Sequence, residues 1–249
     1  MVAMQQVWPD FAAVDHLEVY GPPPRPLPGG RAWVTMCMVT SVDGAVSVQG
    51  RSGALGGPAD WAVLSALRGR ADAIVVGAGT ARAEDYGPLT LAAPARERRL
   101  ARGQAPEPLL AVVSASGALD PTARLFSGPR PRLYLPESAP PQRRAALEAV
   151  ADVRTAGVAT VEAEAVTADL AAEGRTLVLL EGGPRLNACF AAADLIDEFC
   201  ITRSPLLAGG GPGLIDAGPL ATLDLLLDRL LVADGMVFAR YLRRSHESA

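Results

Sequence analysis

The 249-residue chain contains no lysine, and all 23 of its basic residues are arginine. A Schiff-base mechanism is therefore excluded, as is the lysine-bearing G-x-x-x-x-G-K-[ST] phosphate loop; no G-x-S-x-G nucleophile elbow occurs either. Histidine is nearly as scarce. His16 and His246 fall near the two ends, where chains are usually loosely held, and neither is expected to act as a base or metal ligand. The three cysteines, Cys37, Cys189 and Cys200, are odd in number and show no C-x-x-C spacing, so no zinc site or disulfide framework is expected. Long apolar runs are also missing: no charge-free stretch exceeds about a dozen residues, short of the ~20 that a membrane helix needs. The 27 acidic residues leave a net charge of −4 and no basic stripe, which argues against nucleic acid as a partner. Nothing at the N-terminus reads as a secretion signal, so a cytoplasmic location is expected.

What is present is apolar residue content, 49% of the chain, enough to bury a large core in one α/β unit. Residues 21–30, GPPPRPLPGG, are too rich in proline and glycine for a helix or central strand. They set off residues 1–30 as an N-terminal extension, a wrapping arm, from a main domain at 31–249. The stretch RAWVTMCMV, uncharged from Ala32 to Val42, suits a strand buried on both faces. Residues 58–70 place proline in a first turn and Trp61, Leu64 and Leu67 at helical spacing. Strand and helix then alternate through ADAIVVGAG, PLLAVVSAS, PPQRRAALEAV, RTLVLLEGG and PRLNACFAA, the pattern of βαβ units in a parallel sheet. EFCITRSPLL, DLLLDRLLVAD and MVFARYLRR break the alternation and predict an antiparallel edge.

Ligands of open parallel sheets bind beyond the carboxyl ends of strands, so the residues following each strand carry the functional information. At Ser41-Val42-Asp43-Gly44, Asp43 could accept hydrogen bonds from a substrate, or the Asp-Gly pair makes only a tight turn. At Gly77-Ala78-Gly79-Thr80, two glycines let backbone amides approach a phosphate and Thr80 could cap the next helix; close packing explains the glycines equally well. At Glu181-Gly182-Gly183-Pro184, a carboxylate ends a strand, two glycines clear space, and Pro184 opens a helix. The free amides and positive dipole end of that helix suit a dinucleotide pyrophosphate. The run from Pro205 to Gly211 either closes over the pyrophosphate or forms a flexible hairpin.

These four places in this order, with LRGRADAIVVGAGTARAEDYGPLT from Leu67 to Thr90 and LIDEFCITRSPLLAGGG from Leu195 to Gly211, resemble the reductase domain of the riboflavin-biosynthesis deaminase-reductase. The resemblance runs from about Trp33 to Arg243. It implies a dihydrofolate-reductase-like fold, a three-layer α/β/α arrangement with a mostly parallel mixed sheet and an antiparallel C-terminal edge. It implies NADPH as cofactor, held by Gly77, Gly79, Thr80, Glu84, Ser114 and the segment Gly182, Gly183, Pro184, Arg185, Leu186 and Asn187. Substrate contacts fall on Ser52, Arg68 and Leu89, with Arg68 the partner of a ribose-linked phosphate. Asp43 and Glu181 become the catalytic pair that orients sugar and pyrimidine, with either of them or a water supplying the proton. The implied reaction opens the ribosyl group of a phosphorylated ribosylaminopyrimidine to the ribityl form. A homodimer is expected, from the family habit and the apolar C-terminal strands.

Three departures from the family pattern are visible. Cys37 stands where a lysine or asparagine is common, the stretch after Leu89 offers only Arg96 as a second phosphate-binding arginine, and the zinc-deaminase half is missing. Arg124, Arg130 and Arg132 are candidates to meet a 2′-phosphate. The alternatives are a same-fold reductase of a pteridine, dihydrofolate or other heterocycle, and a non-catalytic NADPH-binding paralogue.

Overall fold

The computed structural model describes residues 2–21, 31–216 and 220–244. Its centre is strand β3 (Trp33–Thr40), the charge-free run, flanked on one side by β8 (Leu177–Leu180), β4 (Ala73–Gly77), β5 (Leu109–Val113), β6 (Arg132–Leu135) and β7 (Asp152–Thr155). All of these run parallel. On the other side β9 (Glu198–Arg203) is also parallel to β3, and β11 (Met236–Arg243), β10 (Leu225–Ala233), β1 (Ala3–Trp8) and β2 (Ala12–Asp15) then follow antiparallel. The mixed sheet with an antiparallel C-terminal edge is therefore present as expected.

Each central strand sends alternate residues into one of two cores, because side chains on a strand point to opposite faces. On one face α1 (His16–Tyr20), α2 (Pro58–Arg70), α3 (Ala78–Ala83) and α5 (Pro141–Glu148) pack over Ile74, Val76, Val112, Leu133, Leu135 and Leu179. On the other, α6 (Ala163–Ala172) and α7 (Pro184–Ala192) cover Val34, Met36, Val75, Ala111, Val178 and Leu180. Helix α4 (Ala93–Ala101) lies outside α2 and closes its end. The fully buried Arg99 donates to the carbonyls of Arg68, Gly69 and Ala71, groups that the helix terminus leaves without intrahelical partners.

Two expectations change here. His16 does not lie in a loosely held end: β1 pairs with β10, and His16 is buried at the start of α1, capped by Asp15. The proline-rich stretch itself, residues 22–30, and His246 lie outside the described residues. Second, α2 begins and ends where its spacing predicted, but its buried face is Ala59, Val63, Ala66 and Leu67. Trp61 stands 57% exposed, because small residues let the helix approach the sheet closely and the indole is left on the outer side.

Candidate active site

The site is built at the carboxyl ends of β3, β4, β5, β8 and β9, where the sheet's direction places every motif singled out above. Its cofactor side consists of two glycine turns in contact. The Gly77 amide donates to the Gly182 carbonyl at 2.7 Å, joining the start of α3 to the start of α7. A Cβ on Gly183 would stand 2.6 Å from Thr80 Oγ1, so only glycine lets these turns meet. The peptide between Gly182 and Gly183 is cis. Gly183 is the N-cap of α7, no side chain caps it, and Pro184 follows at the first helical position. A dinucleotide diphosphate fits this cradle: backbone donors and a positive dipole end face outward, and Gly79 opens onto free space.

Thr80 does not cap α3 as expected, since the helix begins at Ala78 and the N-cap is Gly77; its hydroxyl faces Gly183 instead. Ser114 is buried, and its hydroxyl accepts from the Gly117 amide, shaping the turn after β5. Glu84 and Ser52, expected on cofactor and substrate respectively, are brought together, with the Ser52 amide donating to the Glu84 carboxylate at 2.6 Å. Asn187 is fully buried and donates to the Leu214 carbonyl, holding the loop after β9 rather than facing outward. Arg185 is exposed and pairs with Asp216 on the same loop, while Leu186 is buried in the core.

Asp43 is held by its own surroundings. Its carboxylate accepts from the Ser41 hydroxyl and from the amides of Ala208, Gly209 and Gly210, at 2.6–3.2 Å. These donors hold its carboxyl well below the usual carboxylate range, the Ser41 hydroxyl contributing most. Gly209, Gly210 and Gly211 all have positive φ, a conformation that lets three successive residues wrap one carboxylate. The run after β9 is thus neither a free hairpin nor a flap; it is anchored to the turn after β3.

Glu181 ends β8, only 7% exposed. Arg68, two turns along α2 from Asp60, grips it with a fork: Nε to Oε1 and Nη2 to Oε2, both at 2.7 Å. The Tyr86 hydroxyl donates to Oε2 at 2.6 Å, and the Arg68 guanidinium lies 5.9 Å from the Tyr86 ring centre. The Arg68 fork, expected on a substrate phosphate, is here spent on Glu181. The Tyr86 phenol is pushed well above its ordinary range by burial and by the Glu181 charge. Leu89 packs at the edge of the same core. Arg96 pairs with Glu107 at 3.3 Å on α4 and is not presented as a second phosphate ligand.

The floor between these groups is Cys37 on β3, half-buried, with Cys200 of β9 as its register partner and Thr202 two residues further on. Burial pushes the Cys37 thiol well up, reinforced by Asp60 and Glu181. Asp60, in the first turn of α2, is half-buried, and desolvation raises its carboxyl above the usual range despite a hydrogen bond from Thr202. Below the floor, Glu198 is fully buried with Arg70 and Arg240 at 3.0 and 3.1 Å, and it accepts from Trp33 and Thr35. Of the arginines considered for a 2′-phosphate, Arg132 is buried among Asp152, Asp169 and Glu173. Arg130 caps carbonyls of Glu148 and Ala151, and Arg124 pairs with Asp85.

Tyr86 and Asp60 are the residues that the sequence left unnoticed. Tyr86 sits inside a quoted stretch with no local pattern to mark it, and Asp60 reads as an ordinary first-turn acid.

The fold is an α/β fold of the dihydrofolate-reductase type: the dihydrofolate reductase of Enterococcus faecalis superposes with a TM-score of 0.51 at 12% identity, over 86% of this chain and 97% of that one. The chain belongs to the family of the RibD C-terminal domain, whose model matches residues 32–235. It is 30% identical over 182 residues to the 2,5-diamino-6-ribosylamino-4(3H)-pyrimidinone 5′-phosphate reductase of Archaeoglobus fulgidus, covering 72% of this chain and 83% of that protein. A pyrimidine reductase-like protein from Corynebacterium diphtheriae is 27% identical, with a TM-score of 0.84 over 93% of this chain and 100% of that one.

Proposed function

We propose that this chain is an NADPH-dependent reductase of riboflavin biosynthesis. It converts the ribosyl group of a phosphorylated ribosylaminopyrimidine, of the 5-amino-6-(5-phosphoribosylamino)uracil type, to ribityl. One observation carries the reading: an uncapped helix N-terminus and a fixed carboxylate, Glu181, adjoin across Gly182 and Gly183, with Cys37 of β3 beside Glu181. The named activity of the Archaeoglobus fulgidus relative supports the same chemistry, and neither a pteridine substrate nor a silent paralogue gains support from it.

When bound, the nicotinamide supplies a hydride. The chain's own residues do the rest. The amides of Gly183, Arg185 and Leu186 and the Thr80 side hold the diphosphate. Glu181, locked by Arg68 and Tyr86, presents a fixed acceptor to sugar hydroxyl or pyrimidine amino groups, so little reorganisation accompanies binding. Asp43 acts through the loop it anchors. Arg82 and Arg143, which donate to the carbonyls of Ala118 and Ser116, flank the turn after β5 and are better placed for a 2′-phosphate than Arg124, Arg130 or Arg132. The protein works in the cytoplasm as a homodimer, joined through the outer antiparallel edge where Val7, Val232 and Val237 are exposed; light scattering reads that directly.

The test is NADPH oxidation at 340 nm with the phosphoribosylaminopyrimidine, beside calorimetric titration with NADPH and NADH. Turnover with that substrate and micromolar binding of NADPH are expected. No heat with either nucleotide removes the reductase reading.

A further inference from the structure

The cleft holds two carboxylates in opposite circumstances. One residue beyond the Met36↔Leu180 pair, Cys37 and Glu181 lie side by side, and across β3 the pairs Cys37↔Cys200 and Val39↔Thr202 set Thr202 on the same face. Glu181 is gripped by a guanidinium and a phenol, both of which donate to its carboxylate. Asp60, in the first turn of α2, is close enough to act electrostatically on Cys37 and is hydrogen-bonded to Thr202, which stands on the Cys37 face of the sheet. The groups around Asp60 and Glu181 are Cys37 from β3, Cys200 and Thr202 from β9, Arg68 from α2, and Tyr86, with Glu198 buried beneath them. Arg68 and Arg70, the nearby cations on α2, are committed to Glu181 and Glu198.

We infer that Asp60 is the proton donor of the reaction, with Glu181 the fixed anion that orients the substrate. This rests on the reductase reading above. Glu181 is committed to the Arg68 fork and the Tyr86 hydroxyl, whereas Asp60 has no ion pair among the described residues, and its burial favours the protonated form. The step balances. The bond from C1′ to the ring oxygen breaks and that oxygen takes the Asp60 proton, becoming a hydroxyl, while the nitrogen lone pair forms C1′=N⁺–H. C1′ would then take the hydride that a bound dihydronicotinamide supplies, returning the C=N electron pair to nitrogen, and Asp60 would regain its proton from solvent.

Asp60→Asn keeps the size of the side chain and its contact with Thr202 while removing the proton. The expected result is a fall in kcat of roughly 10²- to 10⁴-fold, with the calorimetric affinity for NADPH within about twofold of the parent. In the parent, kcat declines as pH rises through the Asp60 transition; in the variant that limb disappears. A difference ¹³C-carboxyl NMR titration of the two proteins, recorded without cofactor, should assign to Asp60 a transition above the ordinary carboxylate range. A variant with near-parental kcat, an unchanged pH limb, or an Asp60 signal titrating in the ordinary range overturns the assignment. If the parent binds no nicotinamide nucleotide, the reductase reading fails, and the NMR titration still decides whether Asp60 holds a proton.

Discussion

Replacing Glu181 with alanine strips Arg68 of both acceptors of its fork and leaves a mostly buried guanidinium without a counter-charge. Removing one member of a buried pair costs about 3–5 kcal/mol, most of it the penalty of the stranded charge. In a domain of this size each kcal/mol lowers Tm by about 2–4 °C, so a drop of roughly 6–20 °C is expected. Two controls separate the pair from simple packing. Tyr86→Phe removes one hydrogen bond to a charged acceptor and should cost about 1.5–3 kcal/mol. The double replacement Arg68→Met with Glu181→Leu fills the space with apolar side chains and should recover most of the stability lost by Glu181→Ala, since no buried charge is left over. Turnover should stay low in that double variant, because the anion is gone. Differential scanning calorimetry with urea melts measures each arm. If Glu181→Ala costs under about 1 kcal/mol, or the apolar double replacement is no more stable than the single, the account of this pair is wrong.

Gly183→Ala drives a methyl into the Thr80 hydroxyl and should weaken NADPH binding by about tenfold or more; unchanged calorimetric affinity would refute the cradle. Asp43→Ala releases the amides of residues 208–210, so limited proteolysis should cut the 205–216 loop faster while the far-UV circular dichroism stays the same. Burial pushes the Glu198 carboxyl up, but Arg70 and Arg240 outweigh it and hold it below the usual range. A group depressed on folding stabilises above its unfolded value and loses that contribution as pH falls through its folded value. The protein should therefore lose stability on acidification below about pH 4, and Glu198→Gln should flatten that slope in urea melts. Cys37 and Cys200, both raised by burial, should alkylate with iodoacetamide far more slowly at pH 8 than a free thiol.

Local chemistry alone determined a good deal. The uncharged run of β3, the bounds of α2, and the strand–glycine–proline passage from β8 into α7 follow from side-chain period and from what glycine and proline permit, so they were legible residue by residue. The phosphate-binding character of the turn at Gly182 and Gly183 was legible for the same reason: it depends on backbone and on a neighbouring helix end. Partnerships were not. Arg68 and Glu181 are 113 residues apart, Asp43 and Gly209 166, and nothing in either member's surroundings names the other. Arg68 read as a phosphate ligand and Asp43 as a substrate ligand because a charged side chain in sequence is a need without an address. Only the crossing of α2 over β8, and of the loop after β9 against the turn after β3, supplied the counter-charges and donors. Tertiary packing likewise decided that Asp60 has no ion pair among the described residues, and that β1 and β2 complete the sheet.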